Sequence, residues 1–221
     1  MNQLRLYMLP VLLCLSMVVM GQSLKQSGNS AKDIVPEGWE VIEAEGDLNK
    51  DGISDLAIIA TPNFEEHLKH RDDGYVYNFN QPLLGIYWGN RNGGYTCWKI
   101  YDKVIPAQED EYIFVDLSLS ITDRGVLKID VSTFASAGGW GQGGSTYLFR
   151  YQSGDFFLIG KDESSMMRNT GETTLDSYNY LTSKHQRITY NEFDPKVKRR
   201  ETWKKLKKAP LQRLEEVDLQ G

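Results

Sequence analysis

The sequence predicts a mainly β fold, in which antiparallel hairpins form a sandwich, a barrel or a partial propeller-like body with at most one or two short helices. Three observations predict it. Short alternating or apolar runs recur at 39–44, 55–61, 83–89, 94–101, 112–121, 125–134, 145–152 and 155–161. Compact turn signals separate several of them: Asn90-Arg-Asn-Gly-Gly94, Thr122-Asp-Arg-Gly125 and Gln152-Ser-Gly-Asp155. Glycine and Asn/Asp allow the tight reversals that hairpins need. Finally, 221 residues with 40% hydrophobic side chains, including 5 Trp, 12 Tyr and 8 Phe, are enough to build a core and exclude a disordered chain.

The chain opens with Arg5 followed by an apolar run from Leu6 to Met20, interrupted by Pro10 and ending at Gly21. A charged start, a short apolar stretch and a small exit residue read as a secretory signal peptide over 1–21. The run is shorter than the roughly 20 apolar residues of a membrane span. Export, to the periplasm or the exterior, is therefore expected, with no transmembrane span after cleavage. Cys14 lies inside the run behind Leu13, not behind the small residues that lipidation requires, so the processed chain keeps only Cys97. Alternation places Cys97 in a strand, as a buried and inert thiol with no disulfide partner.

Residues 22–36 are polar and small, and read as a flexible leader before one β-rich domain over 37–219. Asn63-Phe-Glu-Glu66 fits a capping box, predicting one or two helical turns through His70, and 71–82 reads as a long excursion between strands. Near the end, 184–191 and 197–204 flank the turn-like Phe193-Asp-Pro-Lys196 as a last hairpin, with a helix over 197–208 as the rival reading.

The most informative stretch is Gly46-Asp47-Leu-Asn49-Lys-Asp51-Gly52-Ile-Ser-Asp55-Leu56. It places the side-chain oxygens of Asp47, Asn49, Asp51 and Asp55 at positions 1, 3, 5 and 9 of a loop, and the Ile53 carbonyl at position 7. Gly52 lets the loop turn sharply. An oxygen-only set of this kind suits a hard cation such as calcium. Position 12 is Ile58 where an EF-hand requires glutamate, and 39–45 alternates like a strand, so the loop is not an EF-hand. Residues 46–56, with Leu83-Leu-Gly-Ile-Tyr-Trp-Gly-Asn90 and Gly93-Gly94 after them, resemble an FG-GAP/VCBS-type repeat, a propeller-blade unit with an Asp-rich calcium loop. The resemblance covers about 55 residues. It implies a structural calcium held by Asp47, Asn49, Asp51, Asp55 and the Ile53 carbonyl. The whole chain also resembles small secreted bacterial proteins, a likeness that implies no mechanism.

Other signals are weaker. Ser136-Ala-Gly-Gly-Trp140-Gly-Gln142-Gly-Gly-Ser-Thr146 joins two strands through five glycines, with neither a phosphate-loop lysine nor a dinucleotide fingerprint. Trp140, with Gln142, is either a platform for a sugar ring or aromatic ligand, or a plug closing the end of the β body. His67 and His70 precede Asp72 and Asp73, but a third zinc ligand is missing and two solvated histidines are the simpler reading. No Gly-x-Ser-x-Gly accompanies His185. Residues 196–208 hold eight basic side chains in thirteen, read as edge-strand protection or as a contact for anionic lipid or polysaccharide. With 30 acidic against 25 basic residues, net -5, nucleic acid is not an expected partner. The expected task is that of an exported, calcium-stabilised binding or interaction module meeting a protein or carbohydrate at the envelope. The rivals are a small hydrolase of polysaccharide or cell-wall polymer and a purely structural envelope protein.

Overall fold

The computed structural model describes residues 23–137 and 139–219, so the expected signal peptide lies outside the described residues. The elements run β1 (Ser27–Gly28), α1 (Ala31–Ile34), β2 (Glu40–Gly46), β3 (Asp55–Thr61), a 3-10 turn (Glu65–His67), β4 (Leu68–His70), β5 (Val76–Asn78), β6 (Leu83–Gly89) and β7 (Tyr95–Tyr101). They continue with β8 (Ile113–Ile121), β9 (Val126–Ala135), β10 (Gly141–Gln152), β11 (Asp155–Met167), β12 (Glu172–Asn179), β13 (Lys184–Asn191), β14 (Arg200–Lys205) and a second 3-10 turn (Leu214–Glu216). The fold is mainly β and antiparallel, with one four-residue helix among the described residues.

Three sheets result: five strands in the order β1-β7-β6-β3-β2, seven in the order β14-β13-β12-β11-β10-β9-β8, and the small pair β4-β5. The seven-stranded sheet is an unbroken meander, coiled like half a barrel. Its hairpins follow the turn chemistry read from the sequence. Ser153 and Gly154 both take positive φ in the two-residue turn that pairs Gln152 with Asp155.

The main core lies between the two large sheets, where Ala57, Ile59, Leu84 and Ile86 meet Leu127, Ile129, Val131, Tyr147, Phe149 and Phe156. At one side Trp88 and Trp98 join Tyr151 and Phe156, with ring centroids 5.0–6.3 Å apart. β3 is buried on both faces: Ala57 and Ile59 enter this core, while Leu56, Ile58 and Ala60 enter a second one.

That second core corrects the expectation of a flexible leader. Leu24, Ala31, Ile34 and Val35 are buried against the outer face of the first sheet, β1 pairs with β7, and Ser30 caps α1 through its hydroxyl. An apolar outer face on β3 has to be covered, and this segment covers it. The 63–70 helix is corrected too. Asn63 caps nothing; Phe64 occupies the cap position of a single 3-10 turn, and Leu68–His70 pairs with Val76–Asn78 as a small hairpin within the 62–82 excursion. The final hairpin forms as β13 and β14, and the rival helix over 197–208 does not.

A groove on the half-barrel and the acidic loop

The register of the second sheet aligns side chains into rows that cross strand after strand. One row runs Phe114, Phe134, Gln142, Met166, Thr173, Tyr190, one residue from each of β8 to β13. The next runs Asp116, Ser132, Gly144, Ser164, Leu175, Ile188. Because Leu127, Ile129 and Val131 point into the core and side chains alternate along β9, Ser132 and Phe134 face away from the first sheet. The two rows line a groove of about 510 Å³. At Gly144 a Cβ would lie 2.9 Å from Ser132 Oγ, so a side chain there would crowd the groove.

Of the two residues expected to hold a ligand, Gln142 sits in this groove, half-buried, its Nε2 3.6 Å from Met166 Sδ. Trp140 precedes β10 and its side chain is 60% exposed, so it does not plug the end of the body. Its loop is held from just beyond β11: Arg168 donates to the Ala135 and Gly139 carbonyls at 2.7 and 3.1 Å, and its guanidinium lies 4.4 Å from the Phe134 ring centroid.

The opposite face of the same strands is apolar where the first sheet covers it and becomes ionic beyond. There Val131, Ser145, Glu163, Asp176 and Arg187 form a row. Asp176, buried, accepts from Arg187 Nε (2.7 Å) and Nη2 (3.0 Å), with His185 Nε2 at 2.5 Å and the His185 ring stacked on Tyr178 at 4.4 Å. Burial pushes the Asp176 carboxyl up, but the hydrogen bonds and charges of Arg187 and His185 outweigh it and hold the group below its usual range. Sequence reasoning passed over this cluster. Its only trace there is period-two spacing, Asp176 with Tyr178 and His185 with Arg187.

The acidic loop joins β2 to β3. Lys50 and Gly52 both take positive φ, +65° and +85°, and Gly52 is where the glycine was needed. Asp47 accepts from the Asp51 and Gly52 N–H groups at 3.1 and 3.0 Å, Asn49 Oδ1 from Asp51 N–H at 2.9 Å, and Asp51 from Ile53 N–H at 2.8 Å. Asp55 is fully buried and accepts from Leu48, Asn49 and Gly89 N–H at 2.8, 3.2 and 2.9 Å. Burial raises its pKa, opposed by these three backbone bonds. Among the described residues no group of three or more His, Cys, Asp or Glu side chains is placed to hold a metal ion. In kind, Asp47, Asn49, Asp51 and the Ile53 carbonyl suit a hard cation. In this arrangement the three side chains each turn to loop N–H groups, and Asp55 is the strut tying the loop to the start of the β6–β7 turn.

His70 Nε2 lies 2.9 Å from Glu65 Oε1 with both side chains exposed. Cys97 is a free thiol, half-buried, and burial raises its pKa. No described helix is long and apolar enough to cross a membrane. No family model, curated protein or solved structure matches the chain.

Proposed function

We propose that this protein is an exported binding module of the cell envelope or exterior that holds a carbohydrate chain in the groove of its seven-stranded sheet, without catalysing a reaction. The groove is the observation that carries the reading. Aromatic rings at Phe114, Phe134 and Tyr190 suit the C–H faces of sugar rings, and the Gln142 amide with the Ser132 and Ser164 hydroxyls suits sugar hydroxyls. Binding is favoured over hydrolysis because, among the described residues, Asp116 is the one carboxylate lining this groove, whereas glycoside hydrolysis takes a pair. Asp55, the carboxyl raised by burial, is walled in by backbone N–H groups of the acidic loop.

Calcium is a further part of the proposal. It would be held by Asp47, Asn49, Asp51 and the Ile53 carbonyl, neutralising the loop and stiffening the β2–β3 connection, in keeping with the FG-GAP/VCBS resemblance.

Titration of soluble oligosaccharides from bacterial envelope polymers into the processed chain tests the main reading. Binding should weaken roughly tenfold in Phe134→Ala and in Gln142→Ala, since each removes one stacking or hydrogen-bonding contact. Trp140→Ala, lying outside the groove lining, should change it less. Release of new reducing ends during incubation would replace the module with a hydrolase.

A further inference from the structure

Beyond β14 the chain runs on as a tail, turns at Pro210 and returns to β11, where Arg213 bridges to Phe157 and the Gln212 carbonyl accepts from Leu158 N–H at 2.9 Å. On the way Leu206 N–H donates to the Ser183 carbonyl in the β12–β13 turn at 2.8 Å. Between this tail, β11 and that turn lies a cavity of about 430 Å³. Its lining is largely apolar, with Leu158, Tyr180, Leu206, Pro210 and Leu211, and among the described residues it carries one cationic group, Lys207. The cavity is separate from the groove: no residue lines both, and Leu158 belongs to the core face of the sheet.

The segment that supplies Leu206 and Lys207 to this cavity is strongly basic. Residues 196–208 carry eight basic side chains against Glu201 alone, and Glu201 is taken up by Gln186 Nε2 and Trp203 Nε1 at 2.9 and 2.7 Å. The rest of the chain therefore carries a net charge of about -12, the seven positive charges of this segment being set against a total of -5. An edge strand needs some lysine to discourage pairing. Edge protection does not account for an apolar cavity next to the lysines.

We infer that this cavity is a second binding site, taking a single-chain anionic amphiphile. The acyl or alkyl chain enters between Leu158, Tyr180, Leu206 and Leu211, and the phosphate or carboxylate head is neutralised by Lys207 at the end of the basic segment. An apolar interior selects the chain, and the cationic mouth selects the sign of the head.

The experiment is calorimetric titration of the processed chain with dodecyl phosphate below its micellar concentration, beside dodecyl maltoside, inorganic phosphate and phosphatidylglycerol vesicles. Dodecyl phosphate should bind one to one, with inorganic phosphate and dodecyl maltoside each at least tenfold weaker. Lys207→Glu should weaken dodecyl phosphate roughly tenfold or more, as loss of a charge-assisted contact does. Ala209→Trp, which fills the cavity from an exposed position, should remove binding while the melting temperature stays within a degree or two of the parent. Equal affinity for dodecyl maltoside, unchanged affinity in both variants, or binding to vesicles without binding to monomeric dodecyl phosphate would each overturn the site. Loss of sugar binding in the groove leaves these readouts unaffected, so the two readings fail separately.

Discussion

Asp55 is the side chain on which the first sheet's geometry turns. Its two oxygens satisfy three backbone N–H groups from two separate connections. Replacing it with alanine strands those donors in a site with no solvent access, so Asp55→Ala should destabilise by roughly 3–5 kcal/mol in urea unfolding, with Asp55→Asn losing less. The sequence places Asp55 among ligand oxygens; the structure makes it a strut, because Gly89, 34 residues away, supplies the third donor. Asp176 gives a pH prediction. Its folded pKa lies below its ordinary value, so its contribution is present above about pH 4 and is lost as pH falls through the folded value. Asp176→Asn should therefore be less stable than the parent by roughly 1–2 kcal/mol at pH 7, with the difference shrinking below pH 4. Arg187 is half-exposed, and solvent screening keeps the figure small.

Among the elements, the N-terminal segment and the acidic loop carry the clearest tests. Ile34 is fully buried in the second core, so Ile34→Ala should cost about 2–4 kcal/mol, whereas a flexible leader would show no change. For the loop, 10 mM calcium against a site of about 10⁻⁴ M affinity should stabilise the processed chain by about 2.7 kcal/mol, a rise of several degrees absent in Asp51→Ala. Identical melts with calcium and with chelator would remove the ion from the proposal. Gly125, in the β8–β9 turn, ties the two sheets at this loop: a Cβ there would meet the Asp47 carbonyl at 2.3 Å, and φ is +65°. Gly125→Ala should therefore destabilise even though the residue sits in an ordinary hairpin turn. Within the seven-stranded sheet, the strand and strand ends missed in the sequence share one cause. β12, Glu172–Asn179, alternates Thr, Leu, Ser against Thr, Asp, Tyr, and the outer ends of β10 and β11 are rich in Gly, Ser and charge. These strands extend beyond the first sheet, so neither face has to be apolar and the period-two signal disappears.

At the scale of the whole molecule, stability resides in the interface between the two large sheets. Phe149 is fully buried at its centre, and Phe149→Ala should cost about 3–5 kcal/mol, measured as one shift of a cooperative unfolding transition. The overhanging strands have less apolar backing, and their amides should exchange faster in native-state hydrogen exchange than those of β3, β6 and β9. The same overhang makes function possible: a half-barrel without a second sheet on its outer face leaves the Phe114–Tyr190 row open to a ligand. Alternation, turn glycines and aromatic content by themselves determined a mainly β antiparallel body, ten of its strands and their hairpin turns, since these signals are local. The acidic loop was legible as a loop for the same reason. Tertiary structure alone decided that the polar leader is a covering layer, that Asp55 spans two connections, and that Gln142 lies in a groove with Phe114 and Tyr190 while Trp140 lies outside it. Those facts depend on which strands become neighbours, and side chains 76 residues apart come to line one groove only after the register of six strands is set.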